Sequence, residues 1–334
     1  MTINIYESSG YLNIPGILHL GLPFNFIVGG RGTGKTYGAL KYALQSGRKF
    51  MLMRRTQTQT DLINKAEFSP FKPVCADLRI DIDTKPLSKY NSVFLKDENV
   101  LGYTCALSTL SNMRGFSFDG DLLIYDEFVP EKHERIMKGE GSAFLNAYET
   151  MNRNRELQGR KPMQALLLAN AFDIANPIFM ELGLIGIAER MKAKGQELFI
   201  NRDKGICLVL PSSRKISGKK ADTALYRLAG GAYADMALSN DFSYNPTDQI
   251  KSQPLGEYKP VVTVGDITIY RHKNGSCYYI SDHRTGDPES YATDEVNRKR
   301  FIKKYGIRLY NAHMRGKIFF ENMTCKAIFE DIIL

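Results

Sequence analysis

Residues 29–36 read Gly29-Gly30-Arg31-Gly32-Thr33-Gly34-Lys35-Thr36, a complete G-x-x-x-x-G-K-[ST] phosphate loop. Binding a triphosphate needs this combination. Glycines let backbone N–H groups converge on a phosphate, a lysine reaches the β- and γ-phosphates, and the following hydroxyl can hold Mg²⁺. The loop therefore predicts ATP and Mg²⁺ as cofactors. A second constellation is Asp126-Glu127, two acids closing the apolar run Leu122-Leu123-Ile124-Tyr125. Beside a phosphate loop the first acid binds Mg²⁺ and the second polarises the attacking water. The pair thus points to hydrolysis rather than phosphoryl transfer to a small molecule. The plainer alternative is an acidic helix start after a strand.

Three further residues could complete such a site. Asn170 ends the apolar run Gln164-Ala165-Leu166-Leu167-Leu168-Ala169. It reads as a sensor of the γ-phosphate or as an ordinary helix cap. Arg153, in Arg153-Asn154-Arg155, reads in two ways. Supplied to a neighbouring subunit it would neutralise charge on the transferring phosphoryl group, an effect of ~10³–10⁵ in rate. At a solvated helix end it would complement the dipole. Arg114, just before the acid-bearing strand, reads as a phosphate or subunit contact, or as a surface arginine.

Chemistry of this kind requires a strand, a turn and a helix N-terminus at the loop. Phe24-Asn25-Phe26-Ile27-Val28 reads as the strand, and Thr36 to Gln45 as the helix. Arg48 to Arg55 reads as a short buried strand ending in two arginines, and Thr56 to Glu67 as helical. Ser92–Leu95 and Leu101–Leu107 read as neighbouring strands turning at Lys96-Asp97-Glu98-Asn99. Helix is expected over 139–157. Continuous apolar strands alternating with helices indicate a parallel sheet covered on both faces. About ninety residues separate the phosphate loop from the acid pair, which leaves room for an extra strand beside the loop strand.

Past residue 200 the texture changes. Pro211 to Lys220 is polar and basic, and 221–237 is rich in small residues. From Tyr258 the period becomes two, with Asn274-Gly275 as a hairpin turn. The expected organisation is an ATPase domain over 1–200, a linker over 201–245 and a small α+β domain over 246–334. The fold class is α/β, a phosphate-loop NTPase with a parallel-rich sheet.

Composition excludes other classes. The 334 residues are 43% hydrophobic and 24% charged, and no apolar run approaches a membrane span. The start lacks a signal-peptide pattern, so a cytoplasmic protein is expected. Five scattered cysteines and five scattered histidines show no metal-ligand spacing, so reduced thiols are expected. The net charge of +9 favours a polyanionic partner.

The ordered set Phe26 to Tyr37, Met53-Arg54-Arg55, Asp126-Glu127-Phe128, Arg153-Asn154-Arg155-Glu156 and Ala169-Asn170-Ala171 resembles the DNA-encapsidation ATPases of small protein-primed podophages, the phi-twenty-nine type. The resemblance covers most of 20–180 and weakens past 200. It implies an additional-strand, catalytic-glutamate ATPase followed by a ribonuclease-H-like domain that has lost its catalytic acids. It implies a ring of subunits, five in that family, which attaches transiently to the portal of an empty shell in the host cytoplasm. Its partners would be double-stranded DNA, a phage structural RNA and the portal, with no membrane. Carried over residue by residue, Gly29–Thr36 binds phosphate, Asp126 binds Mg²⁺, Glu127 is the catalytic base and Arg153 the trans-acting finger. Arg114 falls, across a one-residue gap, where the family places a basic residue acting between subunits. Lys132 matches a lysine facing the DNA channel, although Pro130 replaces a basic neighbour.

The tail offers Asp266, Asp282, Asp287 and Glu289, which form no recognisable acid cluster in sequence. An inactive scaffold is expected there, with the basic run Arg298 to Lys304 as an RNA or portal contact or as a solvated helix face. The alternatives are a terminase with a working nuclease tail, a helicase or partition ATPase, and a nucleotide-binding scaffold without turnover.

Overall fold

The computed structural model describes residues 3–113, 115, 118–130, 134, 136–170, 174–212, 216, 218, 223, 224 and 247–334. The chain divides into two units, one of Met1–Asp173 with Met191–Ser243 and the other of Ile174–Arg190 with Tyr244–Leu334. Residues 174–190, read from sequence as part of the first domain, thus group with the C-terminal unit.

The first unit opens with α1 (Ile14–Leu18), β1 (Phe24–Val28), α2 (Lys35–Ser46), β2 (Phe50–Arg54), α3 (Gln57–Ile63) and α4 (Lys72–Leu78). It continues with β3 (Asp83–Pro86), β4 (Ser92–Lys96), β5 (Asn99–Ala106), β6 (Leu122–Asp126), α5 (Glu140–Asn152) and β7 (Gln164–Ala169). After the short helices α6 (Pro177–Glu181) and α7 (Ile185–Ala193), β8 (Leu198–Asn201) and β9 (Ile206–Val209) complete its sheet. The nine strands run in the order β3-β4-β5-β2-β6-β7-β1-β9-β8. Neighbours from β5 to β9 are all parallel. The hairpin strands β4 and β3 extend one edge antiparallel to their neighbours, and β8 does so at the other.

Hydrophobicity sets this order. Phe50–Met53, Leu122–Tyr125 and Ala165–Leu168 are continuous apolar runs, wholly buried, as central strands covered on both faces must be. Strand β3, Asp83-Thr84-Lys85-Pro86, is mostly exposed and stays at the edge. The extra strand beside the loop strand does not come from the residues between the two motifs. It is β7, which follows the acid pair and inserts between β6 and β1. Its uninterrupted Ala-Leu-Leu-Leu-Ala run suits the middle of the sheet better than β4, whose last residues face solvent. Part of the expected linker is also sheet: β9 pairs parallel with β1, Phe24 opposite Ile206. The run Ile-Cys-Leu-Val is buried there, which its polar surroundings in sequence masked.

Helix α5 is shorter than expected. Arg153 and Asn154 both take left-handed backbone angles, φ 47° and 53°, and end the α-helix at Asn152. A 3₁₀ turn over Arg155–Gln158 follows.

The second unit holds a five-stranded sheet, β13-β10-β11-β12-β14, formed by β10 (Tyr258–Val264), β11 (Ile267–His272), β12 (Tyr278–Ser281), β13 (Glu289–Tyr291) and β14 (Ile318–Phe320). The meander β10–β11–β12 is antiparallel, and the outer strands join it in parallel. Besides α6 and most of α7, the unit holds α8 (Glu295–Phe301), α9 (Ile307–Met314) and α10 (Met323–Ile333), with a π-helical stretch over Ile302–Gly306 joining α8 to α9. Its core includes Val262, Ile269, Ile280, Phe301, Phe320 and Phe329. All five cysteines are free thiols. Burial pushes the Cys207 and Cys325 thiols up to about 12, so they stay protonated at neutral pH.

Candidate active site

Parallel strands place their C-terminal ends along one edge of a sheet, where ligands of open α/β sheets bind. Register brings the candidate residues to that edge. Val28 sits opposite Ala169, so Gly29 and Asn170 leave the sheet side by side. Asp126 sits opposite Leu168, and Met53 opposite Tyr125, which puts Arg54 next to Asp126.

The phosphate loop has the expected form. Gly32 and Gly34 take φ of 75° and 83°, angles that residues with a Cβ resist. Gly34 is the N-cap of α2, and no side chain caps that helix, so its first N–H groups are not taken by a capping side chain. Arg31 is exposed on the loop. Lys35 is folded into the loop and is only 8% exposed. Its Nζ donates to the carbonyls of Gly29 and Gly30 at 2.8 and 2.7 Å, to Thr33 Oγ1 at 3.5 Å and to Asn170 Oδ1 at 3.3 Å. The ammonium thus lies where an anion in the loop would meet it, with Asn170 as its neighbour from β7.

Thr36 and Asp126 meet directly. Thr36 Oγ1 is 3.0 Å from each Asp126 carboxylate oxygen. The Asp126 side chain is 4% accessible, and Arg54 Nη2 holds it at 2.9 Å. A hydroxyl beside a nearly buried carboxylate is a hard oxygen donor set that fits Mg²⁺.

Glu127 differs from Asp126 in backbone and exposure. Its φ of 59° is left-handed, which turns the chain sharply at the end of β6. Such angles in a non-glycine residue cost of order 1–3 kcal/mol and cluster at functional sites. Its side chain is 53% accessible and pairs with Nη1 of the same arginine, Arg54. One guanidinium therefore holds both acids. The arm to Asp126 is buried at both ends, whereas the arm to Glu127 is buried only at the arginine and half open to water at the carboxylate.

Arg55, the next residue, points to the opposite face, as alternate strand residues do. It is 1% accessible, and its Nε and Nη2 donate to the two Glu140 oxygens at 2.6 and 3.0 Å. Burial, the largest single influence, would lower its pKa, but the Glu140 hydrogen bonds together with the nearby charges, those of Glu140 and Glu134 among them, hold it above the ordinary value. Glu140 opens α5, at whose other end stands exposed Arg153. Arg55 also bonds Glu134, within the stretch between the acid pair and α5. Sequence reasoning quoted Arg54 and Arg55 without a role. The signal was there: two cations closing an apolar strand must find acids.

The structure brings together Gly29–Thr36, Asp126, Glu127 and Asn170. Arg153 stands at the C-terminal end of α5. Arg114 and Lys132 lie outside the described residues.

The fold and these motifs have counterparts. The model of the podovirus DNA encapsidation protein family matches residues 6–333. The chain belongs to that family. The DNA packaging protein of Bacillus phage B103 is 25% identical over 328 residues, covering 91% of this chain and 94% of its own. That of Bacillus phage phi29 is 24% identical over 324 residues, 91% of each. The solved Phi-28 gp11 DNA packaging motor has the same fold, with a TM-score of 0.70 at 17% identity, over 98% of both chains. The bacteriophage Phi-29 genome packaging motor assembly gives a TM-score of 0.65 at 19% identity, over 96% of this chain and 99% of its own.

The second unit of this encapsidation-family chain carries two charged features. Asp282, His283 and Glu321 offer ligand atoms within 4.8 Å of one another, the one such group among the described residues. Sequence reading had Asp282 but missed Glu321, which arrives from the far side of β14. The Glu321 and Asp282 carboxylates raise the pKa of His283. Asp266, Asp287 and Glu289 lie outside this group. The other feature is a groove of about 580 Å³ lined by Arg271, Lys303, Lys304, Arg308, Arg315 and Lys317 and by no acid. The basic run read from sequence is partly neutralised within the unit: Arg298 pairs with Asp331, Lys299 with Glu295 and Lys304 with Glu289. Lysine and tyrosine hydrogen bonds pull Glu289 down to about 2.

Proposed function

We propose that this protein is the ATPase subunit of a viral DNA-packaging motor, a Mg²⁺-dependent ATP hydrolase that moves double-stranded DNA into an empty shell. One observation carries the reading. The phosphate-loop lysine and threonine meet the polar ends of β7 and β6, Asn170 and Asp126, at 3.3 and 3.0 Å, with Glu127 next in line. Family membership supplies the DNA.

Each residue then has a task. Backbone N–H groups of 29–36 and the Lys35 ammonium bind the triphosphate. Thr36 and Asp126 would hold Mg²⁺, which when bound would supply charge neutralisation to the triphosphate. Glu127 orients the attacking water and accepts its proton. For that it must leave Arg54, which its half-exposed carboxylate allows more readily than the buried Asp126 would, while the buried arm keeps Asp126 in place. Asn170 reads the far end of the triphosphate. Arg153, from a neighbouring subunit of a homo-oligomeric ring, completes the site. Duplex DNA carries one charge per ~1.7 Å of axis, so a sequence-blind pump grips phosphates through basic loops. Lys132 belongs to that set of contacts, whereas Arg114 acts at the nucleotide between subunits.

The organisation proposed is a motor domain followed by a scaffold without nuclease chemistry. Among the described residues Asp266, Asp287 and Glu289 do not join Asp282 in a ligand group, and a two-metal centre needs converging carboxylates. The six-cation groove gives that scaffold a surface for structural RNA beside the portal. The protein would act in the host cytoplasm, on the shell's portal vertex. The test is ATP turnover by the purified protein, with and without duplex DNA and empty shells. The proposal expects Mg²⁺-dependent turnover that rises with shells and duplex together. Turnover raised by single strands and not by duplex would overturn it.

A further inference from the structure

The N-terminal segment makes a contact with the phosphate loop that none of these tasks uses. A Cβ at Gly34 would lie 3.1 Å from Cδ1 of Tyr11 and 3.6 Å from its Cγ, so the tyrosine lies directly against the last glycine of the loop. Yet Tyr11 is 47% exposed. A large aromatic side chain half open to water, at the rim of a phosphate cradle, is a surface for a planar ligand.

Backbone hydrogen bonds hold its turn against the loop. The Tyr11 carbonyl accepts from Glu7 N–H at 2.8 Å, and Gly10 N–H donates to Glu7 O at 3.0 Å, closing a tight turn. Tyr6 and Leu12 bridge across that turn. Leu12 N–H donates to Thr33 O at 3.3 Å, which ties the turn to the loop itself. Buried Leu12 anchors the turn from below, 3% exposed.

Direction follows from the side chains. Lys35 and Thr36 reach toward β7 and β6, to Asn170 and Asp126. That is where the terminal phosphate belongs. Gly34, lacking a side chain, faces Tyr11 instead. A nucleotide with its γ-phosphate toward Asp126 must carry its nucleoside out of the loop on a side the acid-bearing strands do not close.

We propose that Tyr11 is the nucleobase platform of the site, a stacking surface for the purine ring of ATP. This rests on the nucleotide reading of residues 29–36. Base stacking on an aromatic side chain is worth on the order of tenfold in affinity per base.

The experiment is equilibrium binding of Mg²⁺-ATP and of inorganic triphosphate, which has no base, to the full chain. Tyr11→Ala should weaken ATP about tenfold and leave inorganic triphosphate unchanged. Tyr11→Phe should keep ATP affinity, and Tyr11→Leu, which still fills the space against Gly34, should lose it. Equal weakening of both ligands, or full ATP affinity in Tyr11→Leu, would show that the ring only packs the loop and would overturn the inference. Wild-type protein that binds neither ligand would instead overturn the nucleotide reading, and this inference with it. Lys35→Ala separates the two: it should lose inorganic triphosphate as well as ATP.

Discussion

Replacing Arg55 with methionine should destabilise the ATPase unit more than most surface or catalytic substitutions in it. The Arg55 side chain is 1% accessible and that of Glu140 is 0%. Methionine keeps much of the arginine stem's volume but leaves the Glu140 carboxylate in the core without its cation. Removing one partner of a buried pair costs about 3–5 kcal/mol. The Glu134 contact decides little, because that carboxylate is 27% accessible and water can replace the guanidinium. For a unit of this size, about 3 kcal/mol corresponds to a fall in melting temperature of roughly 6–12 °C. The assay is thermal unfolding of the isolated chain at neutral pH, for Arg55→Met and for Arg55→Met combined with Glu140→Leu. The double change swaps a buried ion pair for apolar contact and should return stability to within about 1 kcal/mol of wild type. A single-variant loss below about 1 kcal/mol would refute the reasoning. So would a double variant as unstable as the single one.

Three further outcomes are expected. His313 has its pKa lowered by burial and by Lys326, and its Nδ1 has no hydrogen-bond partner; Glu330, 3.8 Å from Nε2, would favour the charged ring but is outweighed by burial of a side chain 15% accessible. The folded state therefore prefers neutral His313. The associated stability is complete above the unfolded value of about 6.5 and is lost as pH falls through the lower folded value. Melting of wild type should drop more between pH 7.5 and 5 (roughly bracketing that value) than melting of His313→Phe. Gly102→Ala would set a Cβ 2.3 Å from the Phe50 carbonyl oxygen, inside the β5–β2 pairing. It should cost about 1–3 kcal/mol of stability, read as a lower denaturant midpoint. Arg153→Ala should leave ATP binding intact and reduce hydrolysis in the assembled ring by ~10³-fold or more; normal turnover in that ring would remove Arg153 from the site.

Much of this was legible in the residues. The phosphate loop, the acid pair and Asn170 were readable because their chemistry fixes both residue type and position at strand ends. The apolar runs of β1, β2, β6 and β7 were readable because strands buried on both faces leave no polar gaps. Strand order was not, since nothing in Gln164–Ala169 says that it lies between β6 and β1 rather than beyond them. Strand β9 was hidden by its polar setting, four residues that only pairing with β1 makes a strand. The end of α5 was missed because two left-handed non-glycine residues, Arg153 and Asn154, carry no glycine signal. Arg54 and Glu321 were missed for a shared reason: each acts through a partner distant in sequence, Asp126 with Glu127 in one case and His283 in the other.

The most direct test compares ATP binding and ATP hydrolysis in wild type and Glu127→Gln. Glutamine keeps the size of the side chain and removes its capacity to take a proton. Binding should persist, because Lys35, Thr36 and Asp126 remain, and turnover should fall by at least ~10²-fold, the usual contribution of a general base. Unchanged turnover in Glu127→Gln would contradict the assignment of water activation to that carboxylate.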